Sequence, residues 1–123
     1  MTIDEFNAFC ASLPHTTTVI QWGGAYVWEV GGPTGKVFAI AGWNDEEGLA
    51  VTFKCSPMSF DMLKNERGLR PAPYLASRGM SWLQRTSAET MDDCALKDYL
   101  RESYRLASLN LTKAVQKRLG LNE

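Results

Sequence analysis

The chain has 123 residues, of which 45% are hydrophobic and 22% are charged, and its formal net charge is −1 at pH 7. This length and composition predict one soluble globular domain over residues 1–123 and exclude a disordered chain. No apolar run reaches the roughly 18 residues that span a bilayer, and the N-terminus lacks a secretory signal pattern, so we expect a cytoplasmic protein.

The first predicted element is an amphipathic helix. Thr2 and Glu5 form a capping box, and apolar residues recur at helical spacing from Ile3 to Leu13, where Pro14 ends the pattern. From residue 16 the hydrophobic period changes to two, which predicts antiparallel strands joined by glycine-rich turns. These strands are predicted at residues 16–22, 25–30, 36–43 and 49–55.

A second helix is predicted to interrupt the strands. Ser56 is a capping residue and Pro57 suits the first helical position, which together predict a short helix through about residue 66. Pro71 and Pro73 indicate an extended or turning backbone. Residues 81–86 then predict a further strand.

The C-terminal part is predicted to be helical. Asp92 can cap a long amphipathic helix, and a final short helix is capped by Thr112 and closed by Gly120. The order of the elements predicts an α+β fold, with an antiparallel sheet of about five to six strands backed by helices on one face.

The sequence shows no constellation of residues that indicates catalysis. Cys10, Cys55 and Cys94 lack the paired spacings of redox or metal motifs and are expected to be buried thiols. His15 is the only histidine, and Asp45-Glu46-Glu47 is typical of a solvated turn. We therefore expect no catalytic residues, no cofactor and no metal, and a protein that is not an enzyme.

The charges are unevenly distributed along the chain. Residues 1–50 carry one cation and six anions, whereas residues 54–85 carry six cations and two anions. In one interpretation this basic segment binds nucleic acid, because guanidinium groups hold phosphates and aromatic rings stack on bases. In the other, the arginines pair with local acids and the aromatic rings complete the core. The residues of the nucleic-acid hypothesis are Lys54, Arg67, Arg70, Tyr74, Arg78, Trp82 and Arg85.

A module that binds a protein or a small ligand, with no nucleic acid role, is the alternative function. The predicted sheet has one face away from the helices, and this face carries Thr52, Lys54, Gln84 and Trp82. We expect it to be only partly covered, which would leave room for a partner.

Several short segments carry a resemblance to a known family. They are Leu13-Pro14, Gln21-Trp22-Gly23, Lys36-Val37-Phe38-Ala39, residues 51–57, Pro73-Tyr74 with Trp82, and Glu102-Ser103-Tyr104. In their order and spacing the chain resembles the MmcQ/YjbR family over nearly its whole length. The resemblance implies a CyaY-like, double-wing fold and a DNA-binding role.

Frataxin resembles this architecture and has an acidic ridge along its first helix. In this chain the first helix offers only Asp4 and Glu5, so iron binding is not expected.

Overall fold

The computed structural model describes residues 1–32, 35–42, 48–76 and 79–122. The helices are α1 (Ile3–Ser12), α2 (Pro57–Leu63), α3 (Asp93–Ser108) and α4 (Lys113–Leu119), and the strands are β1 (Thr16–Gln21), β2 (Ala25–Val30), β3 (Lys36–Ala41), β4 (Val51–Lys54), β5 (Leu69–Pro71) and β6 (Trp82–Arg85). Acidic residues 45–47, expected in a hairpin loop, lie outside the described residues.

The described strands form one antiparallel sheet in the order β1-β2-β3-β4-β6-β5. The expected α+β fold is therefore confirmed. The third strand ends at Ala41, earlier than expected, and β5 is a strand that the proline pattern did not predict. Pro71 is tolerated in β5 because this strand lies at the sheet edge, where a missing N–H breaks no ladder.

The helix boundaries follow the capping residues seen in the sequence. The Thr2 and Glu5 capping box is formed at α1, and Ser56 caps α2 with proline at its first position. Asp92 caps α3 through a 2.8 Å hydrogen bond from the Ala95 N–H. Gly120, which has a φ of 70°, ends α4 in the left-handed conformation that glycine adopts without strain.

The main core lies between the helices and one face of the sheet, which we call the inner face. Phe6 and Cys10 of α1 and Leu96 and Leu100 of α3 pack here against the sheet. The sheet contributes Trp28, Ala39, Phe53 and Leu83, which lie on one row across β2, β3, β4 and β6. Burial of these apolar side chains is the main source of stability for the fold.

The opposite face of the sheet, which we call the outer face, is covered more than the sequence suggests. Thr52 and Gln84 are fully buried there, so the expectation of a partly open face is wrong at the centre of the sheet. Leu75, from the segment between β5 and β6, packs over Val27 and Ile40.

Among the described residues, no helix combines the length and apolar character needed to cross a bilayer.

Candidate functional site

The outer face has an irregular feature where β3 and β4 separate. Their pairing stops at Ala39 and Phe53, so the Phe38 carbonyl and the Lys54 N–H do not bond to each other. The buried Ser103 hydroxyl of α3 fills the gap: its Oγ accepts from the Lys54 N–H at 2.8 Å and donates to the Phe38 carbonyl at 2.6 Å. One helix residue thereby completes the ladder and holds the two strands apart.

A pocket of about 260 Å³, which we call the outer pocket, lies next to this separation. Strands β3, β4 and β6, the β1–β2 turn, the segment before β6 and the end of α3 all contribute to it. Its lining residues are Trp22, Lys36, Val37, Ile40, Lys54, Leu75, Met80, Trp82, Ala107 and Asn110. The walls are therefore mainly aromatic and aliphatic.

Among the described residues that line the outer pocket, the charged groups are the ammonium groups of Lys36 and Lys54. Lys36 is exposed and Lys54 is half-buried, and none of the described lining residues is acidic. Glu29 lies beside Val37 in the neighbouring strand, and burial raises the pKa of its carboxyl.

Trp82 lines the outer pocket, and its side chain contains one polar group. Its side chain is only 5% exposed, and its indole Nε1–H has no hydrogen-bond partner among the described residues. A buried N–H without a partner costs about 1–3 kcal/mol, so such groups are uncommon in folded proteins. The sequence left open whether Trp82 lies on the surface or in the core, and the structure buries it.

The arginines of the basic segment do not all share one surface. Arg85 pairs with Val51 and Leu69 on the inner face and is buried. Its Nη2 donates to Asp93 Oδ1 at 2.9 Å, and its Nε donates to the Ser87 carbonyl at 3.2 Å. The interpretation that places Arg85 on a phosphate-binding surface is therefore wrong, because its guanidinium is engaged with these two partners.

Asp93, the partner of Arg85, also lies 3.0 Å from the N-terminal ammonium of Met1. Hydrogen bonds from this ammonium and from Arg85 lower the pKa of the Asp93 carboxyl. The Asp93 carboxylate therefore stays ionised at neutral pH and ties the start of the chain and β6 to α3.

Arg70 points to the outer face, away from Arg85. Its Nε donates to Gln84 Oε1 at 2.7 Å, and Gln84 Nε2 donates in turn to the Gly42 carbonyl at 3.2 Å. Arg67 and Tyr74 are exposed, Tyr74 by 72%. Arg78 lies outside the described residues. Of the seven predicted site residues, the structure thus brings Lys54 and Trp82 together in the outer pocket.

Some lining residues were missed by the sequence analysis. These residues come from distant parts of the chain, and only the fold brings them together: Trp22, Lys36, Leu75 and Met80. One signal could have pointed to Lys36, because it is the single cation within residues 1–50.

The two buried thiols offer little reactivity. Burial raises the pKa of Cys10 to about 12 and that of Cys55 to about 11, so both remain protonated at neutral pH. Cys94 is exposed, contrary to expectation, because it lies in the first turn of α3 on the side away from the core. Within the described part of the chain, no group of three or more potential metal ligands occurs.

Comparisons with known proteins agree with this architecture. The family model described as YjbR matches residues 11–106. The crystal structure of Deinococcus radiodurans protein DR2400, which has a DUF419 domain, is similar to this chain with a TM-score of 0.83 and 25% identity, covering 98% of this chain and 88% of that one. A protein from Pseudomonas syringae shares the fold with a TM-score of 0.68 and 13% identity, covering 87% of this chain and 99% of that one. No curated protein matches the chain.

Proposed function

The chain belongs to the YjbR family, and from this premise we propose that it is a cytoplasmic, non-enzymatic binding protein whose ligand is a small amphipathic anion held in the outer pocket. The observation that carries this proposal is the combination of apolar walls with the ammonium groups of Lys36 and Lys54. The free thiols of the three cysteines fit a reducing compartment.

The size and lining of the outer pocket favour a ligand with a compact apolar body. Its volume of about 260 Å³ is slightly below the roughly 300–1,000 Å³ of pockets for drug-sized ligands. One aromatic ring system or a short aliphatic chain would bury its surface against Val37, Ile40 and Leu75. The half-exposed Trp22 and Met80 adjoin the same space and would cover the open side of such a body.

The polar groups of the outer pocket favour an anionic end on that ligand. A carboxylate near Lys36 and Lys54 would gain charge-assisted hydrogen bonds that a neutral group would not. The ligand class is therefore an aromatic or aliphatic monocarboxylate.

We expect 2-naphthoate, used as a probe, to bind the outer pocket. Titration followed by ¹H–¹⁵N NMR should shift the indole N–H resonance of Trp82. The double variant Lys36→Met, Lys54→Met should bind the probe about tenfold more weakly or worse, because one lost charge-assisted contact is worth about 1.4 kcal/mol or more. The uncharged alcohol 2-naphthalenemethanol should lose little affinity in the same variant.

Lys64→Met serves as the matched control, since Lys64 interacts with Asp61 and Phe60 on α2 and does not line the outer pocket. An unchanged Trp82 resonance at millimolar 2-naphthoate would contradict the proposal. Equal affinity in the double variant and in the Lys64→Met control would contradict the anionic part of it.

Nucleic acid binding is the second candidate function, favoured by the exposure of Arg67, Arg70 and Tyr74 within residues 67–74. Two guanidinium groups and a ring on one edge of the sheet could hold phosphates and stack on a base. Their site is smaller than the one expected from sequence, because Arg85 and Trp82 are buried.

For this second candidate we expect a labelled oligonucleotide to bind at low salt through Arg67 and Arg70. The double variant Arg67→Ala, Arg70→Ala should reduce the slope of log affinity against log salt by about 1.4 on single strands and about 1.8 on duplex, since each phosphate contact contributes about 0.7 or 0.9. Fluorescence anisotropy at several salt concentrations measures both slopes. Absence of binding at low salt, or a slope that the double variant leaves unchanged, would remove nucleic acid as a partner.

A further inference from the structure

The two edges of the sheet differ in how they are protected. The edge strand β5 has three residues and contains Arg70 and Pro71, a cation and a residue without an N–H, which both discourage pairing with another strand. The other edge strand, β1, has six residues, and its sequence Thr-Thr-Thr-Val-Ile-Gln contains no charge and no proline. Val19 and Ile20 of β1 are 45% and 62% exposed.

The backbone of β1 is regular, and among the described strands only β2 pairs with it, which leaves a row of N–H and C=O groups on its other side. Its register with β2 runs from Thr16 to Gln21 without a shift. His15 lies one residue before β1, and its carbonyl accepts a hydrogen bond from the Gly31 N–H at 3.0 Å. The backbone groups of His15 are therefore directed towards β2. Because bonding direction alternates along an antiparallel strand, Thr16, Thr18 and Ile20 direct their N–H and C=O groups away from β2.

We propose that β1 pairs antiparallel with β1 of a second copy of this chain, with the two-fold axis at Thr18. In this register Thr18 faces Thr18 of the second copy, and Thr16 faces Ile20. All three outward residues are then paired, giving about six main-chain hydrogen bonds. The two sheets join into one continuous sheet.

A second copy fits this edge because the strand is complementary to itself. A two-fold axis places identical residues close together, and identical charged residues would repel each other there. Strand β1 carries no charge, so this repulsion does not arise. The same register sets Val19 beside Thr17 of the second copy on the outer face and Ile20 beside Thr16 on the inner face. Each exposed apolar side chain therefore gains a β-branched neighbour, the kind of cross-strand pair that stabilises sheets.

A cysteine crosslinking experiment tests this register. In a Cys94→Ser background, which removes the exposed thiol, Thr18→Cys should form an intermolecular disulfide, since facing residues of a bonded pair have Cα atoms about 5.5 Å apart. Thr17→Cys is the matched control, because its two copies would be about 8 Å apart, beyond disulfide reach. We expect crosslinking at least about fivefold faster for Thr18→Cys than for Thr17→Cys.

Sedimentation equilibrium of the cysteine-intact chain tests the association itself. A dimer should form with rising concentration, and Thr18→Lys should return it to monomer by placing two ammonium groups at the axis. Ala114→Lys, an equal charge change at an exposed site on α4, should leave the dimer intact. A monomer at all concentrations, or equal crosslinking of Thr17→Cys and Thr18→Cys, would overturn the proposal.

Discussion

Replacing Ser103 with alanine is expected to lower the free energy of unfolding by about 2–3 kcal/mol. The Ser103 hydroxyl is fully buried and serves the Lys54 N–H and the Phe38 carbonyl at 2.8 and 2.6 Å. Without it, both backbone groups lose a partner at the point where β3 and β4 separate. Urea denaturation gives the change in stability, and amide hydrogen exchange at Lys54 should become faster in the variant.

Ser108→Ala is a matched control for this prediction, because Ser108 belongs to the same helix and is also buried. Its hydroxyl donates to the Arg105 carbonyl within α3 and accepts from the exposed Asn122 side chain, so its loss leaves no strand group unpaired. We expect a loss below about 1 kcal/mol. Equal losses in the two variants, with unchanged exchange at Lys54, would show that Ser103 does not hold the strands.

The elements that the sequence predicted well are those with local signals. Thr2, Ser56, Asp92 and Thr112 each cap a helix as expected, since capping depends on hydrogen bonds to residues only two or three positions away. The period of two likewise predicted β1 to β4, and the separate run at 81–86 predicted β6. Strand β5 was missed because three residues ending in proline carry no such period.

The candidate site was harder to predict because it depends on which face each residue occupies. Alternation along β6 shows that Gln84 and Arg85 lie on opposite faces, but only the pairing of β6 with β4 and β5 decides which face is covered by helices. The outer pocket depends on contacts still more distant in sequence, since Trp22, Lys36 and Leu75 meet Trp82 there. The basic segment was therefore identified correctly as a charge pattern, but its residues could not be assigned to one surface.

Replacing Arg85 with methionine is expected to lower the free energy of unfolding by about 2 kcal/mol. Methionine fills similar space, but the Ser87 carbonyl and Asp93 lose the donors that Arg85 supplies at 3.2 and 2.9 Å. Removing one partner of a fully buried ion pair costs about 3–5 kcal/mol. A smaller loss is expected here because Asp93 is partly exposed and keeps its contact with the Met1 ammonium.

Arg67→Met is the control for this substitution, since Arg67 is exposed and a surface change of this kind alters stability by less than about 0.5 kcal/mol. A double-mutant cycle with Asp93→Asn should return a coupling energy that favours the native pair, because the two side chains are in direct contact.

In the second candidate function the roles of the two arginines reverse. Arg67→Met should reduce the salt dependence of oligonucleotide binding, whereas Arg85→Met should leave this salt dependence unchanged. An Arg85→Met variant as stable as Arg67→Met, or one with a reduced salt slope, would mean that Arg85 reaches solvent and that its contact with Asp93 does not hold β6 to α3.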